Sequence, residues 1–179
     1  MRLIFTICIW LGTCVTHIQT EDTIIWNENY RLSWDNFKAK ADSMSDAVAL
    51  TASGITFGYS ISQSSNRIVD FKTTVEAHFY PEKSWFKKLK ADDYILSHEQ
   101  LHFDITELHS RKFRRDISQL RISSRLKKQL DDLHAKHLKN LSEMQNKYDY
   151  ETQHSIDTIK QQQWHLYIQM ELEKLAYYR

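Results

Sequence analysis

The chain has 179 residues, 24 Lys and Arg against 23 Asp and Glu, 41% hydrophobic residues and five Trp. Chain length and apolar content fit one domain with a real core, which excludes a disordered chain. The net charge of +1 argues against a dedicated nucleic-acid binder, which is normally basic.

The first 20 residues read MRLIFTICIWLGTCVTHIQT. Arg2 provides a positive start, Leu3 to Val15 is apolar, and the polar stretch His17 to Asp22 follows. The run is shorter than the roughly 20 apolar residues of a membrane span, so it reads as a secretory signal peptide. The expectation is a periplasmic or secreted protein with no transmembrane span after processing. Both cysteines, Cys8 and Cys14, fall in this segment, so the mature chain should carry no disulfide. Leu11-Gly12-Thr13-Cys14 is similar to a lipoprotein cleavage box, in which Thr13 fits poorly. A lipid anchor on Cys14 is the lesser alternative.

Residues 21–179 are read as a single domain. From about 23 to 81 the pattern is that of strands. Thr23–Trp26, Tyr30–Trp34, Ala47–Tyr59 and Arg67–Tyr80 are aromatic, β-branched or alternating, and Ser60–Asn66 is the natural hairpin loop. No Gly or Pro occurs after Pro81, so the region from about 92 to 176 should be helical. A first helix is capped by Asp92 or Asp93 and runs to about Leu120. A second starts near Ser123 or Ser124 with the stripe Leu126, Leu130, Leu133, His137, Leu141, Met144, Tyr148. A third spans about Ser155 to Ala176, with Ile156, Ile159, Trp164, Tyr167, Ile168, Leu172 and Leu175 as core positions.

The first helix contains His98-Glu99-Gln100-Leu101-His102, an HExxH sequence. Residues four apart share a helix face, so two imidazoles can close on one Zn²⁺. Glu99 beside them is placed to act as general base on a zinc-bound water. A third ligand is then required. His109 lies about 10 Å further along the axis. Glu107 faces away and is better read as a partner of Arg111 at i+4. If the chain reverses near Ile122, an antiparallel return helix places Glu143 level with Leu101 and Asp149 level with Ile95. His134 and His137 fall too far along it and read as surface or interface residues. Glu143, Asp149, Glu151 and His154 remain geometric candidates.

The sequence from His98 to Glu107 resembles the core of the bacterial domain-of-unknown-function 922 family, usually labelled predicted secreted zinc-dependent proteases. Leu32–Phe37, Ser84-Trp85, Tyr148–His154 and Gln163-Trp164 resemble further parts of that family. The resemblance covers about Trp26 to Leu175. It implies a zinc-peptidase fold and favours His154 as third ligand, with Asp149 next and Glu143 behind. It departs at Ser155, where Gly is expected and where Ser resists conformations open to Gly. Tyr148 is either an oxyanion donor or the last apolar residue of its helix stripe.

The combined expectation is an α+β, zincin-like domain: a small antiparallel sheet packed on the HExxH helix, followed by two long helices. Its function reads as an exported zinc metallohydrolase, a peptidase first, acting on a peptide or protein. His98, His102 and His154 hold Zn²⁺ and Glu99 is the base. The rivals are a catalytically silent zinc-containing binding module and a helical interaction protein of the cell envelope. The latter would use the basic run Arg111–Arg115, otherwise read as a solvated face balanced by Asp131 and Asp132.

Overall fold

The computed structural model describes residues 22–179. The expected signal peptide and the Cys14 anchor lie outside the described residues. The elements are β1 (Ile24–Ile25), β2 (Ala49–Leu50), β3 (Ser53–Ser64), β4 (Arg67–Phe79), β5 (Trp85–Phe86), α1 (Asp93–Ser118), α2 (Leu126–Thr152) and α3 (Thr158–Lys174). The class is α+β, as expected from the sequence. Two small antiparallel sheets form, one of order β1-β4-β3 and one pairing β2 with β5.

Two expected features of the sheet region are corrected. Tyr30–Trp34 is not a strand. A short 3-10 turn, Trp34–Asn36, forms instead, and the Asn36 side chain accepts from the Ser33 backbone N–H at 2.8 Å. Its aromatic neighbours fill a small second core, where Trp34 stacks on Phe86 at 4.5 Å and Phe37 meets Phe79 edge-on at 5.1 Å. The hairpin loop is also tighter than Ser60–Asn66. Pairing continues to Ser64 opposite Arg67, and only Ser65 and Asn66 turn, with φ of 48° and 62°. Two consecutive left-handed residues match the twist of the flanking strands, and Asn adopts this conformation more easily than most.

α1 is the central element. Asp92 caps it, its side chain accepting from the Ile95 N–H at 2.8 Å. One side of α1 packs on the β3–β4 hairpin and the other on α2 and α3. The main core joins Ile55 and Val75 to Leu101, Ile105, Leu108, Leu130, Leu141, Tyr148, Trp164 and Ile168. A helix enclosed this way must find partners for its polar residues, because a buried charge without one is costly. Glu107 accepts from Arg111 Nε at 2.9 Å, as read from the sequence, and from Arg114 Nη1 at 3.0 Å.

The basic run is therefore not a solvated face. Arg111 is only 4% exposed. Its Nη1 donates to the Leu172 carbonyl at 2.7 Å, and Arg114 donates to the Val75 and Tyr178 carbonyls at 2.8 and 2.9 Å. The guanidinium forks reach backbone oxygens as well as acids, tying the sheet and the C-terminal residues to α1.

The α2 stripe is as expected, with Leu126, Leu130, His137, Leu141 and Tyr148 buried. His137 is an interface residue, its Nε2 3.0 Å from Asp116 Oδ2. In α3 the buried face is shifted. Asp157 caps the helix, so Ile156 precedes it, and both Ile156 and Ile159 are exposed. Gln161, Trp164 and Ile168 face inward instead. No helix of the described residues is long and apolar enough to cross a membrane.

Candidate metal centre

His98 and His102 project from adjacent turns of α1 towards α2. The return helix is antiparallel but displaced by three residues from the expected level. Asp149 meets His98 rather than Ile95, and Gln145 meets His102. Three donors converge. His98 Nε2 is 3.2 Å from His102 Nε2, and Asp149 Oδ1 lies 3.1 Å from the first and 2.9 Å from the second. Ligands about 2.0–2.1 Å from a tetrahedral zinc stand about 3.3–3.4 Å apart, so the spacing fits one ion with little adjustment. Among the described residues, His98, His102 and Asp149 are the group able to hold a metal ion.

The surrounding hydrogen bonds define what these atoms offer. Gln161 Nε2 donates to Ser97 Oγ at 3.1 Å, which turns its Oε1 to His98 Nδ1 at 3.0 Å. Gln145 Nε2 donates to the His102 carbonyl at 2.9 Å, which turns its Oε1 to His102 Nδ1. An amide oxygen accepts only, so each Nδ1 carries the proton and each Nε2 presents a lone pair. Two lone pairs and a carboxylate oxygen then face one point. They repel unless a proton or a metal cation lies between them. Outer-partner hydrogen bonds of this kind orient ligating histidines in metal sites.

The electrostatics agree. Burial favours protonated Asp149, but His102 and His98, which can donate to it from Nε2 only when their rings gain a second proton, outweigh burial and hold the carboxyl well below its ordinary range. Burial likewise opposes charge on His102, yet Asp149 and Glu99 raise its affinity for a proton. The site draws positive charge. Glu99 is 5% exposed, and its Oε2 has no hydrogen-bond partner among the described residues. A buried carboxylate oxygen left this way is costly and is available to a bound group.

Tyr148 is fully buried. Its ring stacks on His98 at 4.4 Å and meets His102 edge-on at 4.9 Å, while its hydroxyl lies 3.5 Å from the His98 carbonyl. Burial pushes its phenol above the ordinary value, helped by the charges of Glu99 and Asp149. Its contacts are those of a ring that fixes the two imidazole planes. His154 stands beside the cluster, its Nδ1 4.0 Å from Asp149 Oδ1 and its side chain 76% exposed. Glu143 lies outside it, 63% exposed and 3.7 Å from Lys139. Glu151 is engaged elsewhere, accepting from Trp164 Nε1 at 2.9 Å.

The segment after α2 holds an unusual bend. Gln153, His154 and Ser155 have φ of 50°, 52° and 72°. Backbone bonds from His154 N to the Asp149 carbonyl and from Asp157 N to the Thr152 carbonyl, at 2.9 and 2.8 Å, close it. Ser155 thus sits where the left-handed conformation disfavours a Cβ. Ser155→Gly is expected to raise stability by about 1 kcal/mol, read as a higher urea midpoint at unchanged slope. An unchanged or lower midpoint would mean the bend carries no such strain.

Gln145 and Gln161 were not anticipated. For Gln161 there was a signal: it occupies the inward stripe with Trp164 and Ile168, where an uncharged polar residue needs a partner. Gln161→Leu is expected to lower zinc affinity about 10–100-fold, while Gln161→Glu, which keeps an acceptor, should lower it less. Competition against a chromogenic chelator measures both. Equal affinity in the Leu variant would separate Gln161 from the site.

The profile of a family described as a bacterial protein of unknown function (DUF922) matches residues 30–155. The matched span includes the HExxH helix, Asp149 and His154. Neither a curated protein nor a solved structure matches the chain.

Proposed function

The chain belongs to this bacterial family of unknown function, and from that premise we propose that it is an exported zinc-dependent metallohydrolase, a peptidase. The observation that carries the reading is the convergence of His98 Nε2, His102 Nε2 and Asp149 Oδ1, with both Nδ1 atoms committed to amide oxygens. His98, His102 and Asp149 would hold the ion, with His154 near enough to join or replace Asp149. Bound there, Zn²⁺ would supply Lewis-acid polarisation of a carbonyl and lower the pKa of a bound water towards about 7.

The chain's own residues supply the rest. Glu99 accepts a proton from the attacking water and passes it to the leaving amine. Gln161 and Gln145 orient the imidazoles, and Tyr148 holds their planes. The β3 end of the sheet is fastened to α1 where Ser53 Oγ meets Thr106 Oγ1 at 2.7 Å and Thr51 Oγ1 donates to the Glu99 carbonyl at 3.2 Å. This sheet-on-helix arrangement supports a zincin-like single domain. Export rests on the apolar run Leu3–Val15 after Arg2.

One observation favours a second reading. With His154 so close, four protein ligands could close the coordination shell, as in structural zinc sites. The orphaned carboxylate of Glu99 favours the enzyme. Incubation of a mixed peptide library with zinc-loaded protein, followed by mass spectrometry, separates the two. Cleavage that stops on chelation is expected, and an intact library would leave the closed site standing.

A further inference from the structure

A cavity of about 550 Å³ opens where α1, α2 and α3 meet, lined by none of His98, His102, Asp149 or His154. Its apolar walls are Met144, Trp164 and Tyr167, and His109 and Lys112 line it from α1. His109 is 3% exposed, yet neither ring nitrogen has a hydrogen-bond partner among the described residues. Leaving such a buried group unpaired is costly. Lys112, three residues on and on the same face, makes no ion pair among the described residues. Its charged neighbours are Glu171, which attracts it, and Arg115, which repels it.

The acids at the rim are already engaged. Glu143 pairs with Lys139 at 3.7 Å, and Glu151 with Lys147 at 3.7 Å and with the Trp164 indole. Burial lowers the Lys112 ammonium and, with Lys112 and His137, pushes His109 down to about 3. The cavity therefore offers aromatic and thioether walls, one neutral imidazole and one poorly compensated cation. We propose that it binds a monocarboxylate with an apolar body, the carboxylate meeting Lys112 and His109 and the body packing against Met144, Trp164 and Tyr167. Such a carboxylate belongs either to a free acid or to the C-terminal residue of an apolar peptide.

The test titrates purified protein with phenylbutyrate, octanoate and the neutral amide of phenylbutyrate, following the imidazole resonances by NMR. A phenylalanine-ending peptide is added with its terminus free or amidated. A carboxylate also binds metal ions, so every titration is repeated with chelator. Saturable binding of an acid is expected, with the amide about tenfold weaker, and with Lys112→Gln about tenfold weaker than wild type. Affinity should survive chelation and Lys139→Gln. Binding by the free acids alone, or by the free-terminus peptide as well, tells which source the cavity accepts. Acid and amide binding alike, an unchanged Lys112→Gln, loss on chelation, or no saturable acid binding would each overturn the assignment.

Discussion

Glu99→Gln is expected to bind zinc as tightly as wild type and to hydrolyse peptides about 10²–10⁴-fold more slowly. The change is nearly isosteric, and Glu99 is not among the converging donors, so the ion keeps its ligands. What disappears is the carboxylate that would take the proton. The variant should not unfold sooner, because the replacement removes a buried acid whose Oε2 has no partner. Rates are read from a peptide pair identified in the library digest, and metal content by elemental analysis of the same samples. Wild type and variant cleaving at equal rates would remove Glu99 from the chemistry. A variant that loses its zinc would make Glu99 a ligand instead.

Asp149→Ala should weaken zinc binding by more than the about 10–100-fold expected for losing an outer partner such as Gln161. Asp149 Oδ1 lies within 3.1 Å of both imidazole Nε2 atoms. Without it, two lone pairs face each other with no anion to complement the ion. His154→Ala should fall in the outer-partner range or below, since that side chain is largely exposed and its Nδ1 stands 4.0 Å from the carboxylate. Chelator competition on both variants decides the order. A larger loss for His154→Ala would restore the ligand that the family resemblance favours and would assign Asp149 to orienting it.

The choice between these two residues was not open to sequence reasoning, for a specific reason. Helix periodicity delivers residues up to Thr152, where α2 ends. Where His154 points depends on three left-handed residues in succession, and no local propensity foretells such a bend at Gln, His and Ser. His98 and His102 were legible because four-residue spacing fixes a shared face. Glu107 with Arg111 followed from the same geometry. The α2 stripe was also legible, yet its register against α1 was displaced by three residues. That shift set Gln145 rather than Ser142 opposite His102 and left Glu143 outside the cluster.

Other differences have one cause in common, which is partners distant in the chain. Arg111 and Arg114 look like surface cations until the Leu172, Val75 and Tyr178 carbonyls arrive beside them. Tyr30–Trp34 has strand-like residues, but Trp34 is taken by Phe86 and Phe37 in the second core. Ile156 and Ile159 lost their expected burial because Asp157 starts α3 and turns Gln161 towards His98. The inward amide that displaced them is the one that fixes the tautomer of a candidate ligand.

X-ray absorption on the zinc-titrated protein, with elemental analysis of the same sample, tests the metal centre most directly. One ion per chain is expected, in a shell of nitrogen and oxygen at about 2.0–2.1 Å that includes two imidazoles, and lost in His98→Ala and His102→Ala. Zinc absent at stoichiometric level, or a shell unchanged in those variants, would contradict a centre built on the HExxH helix.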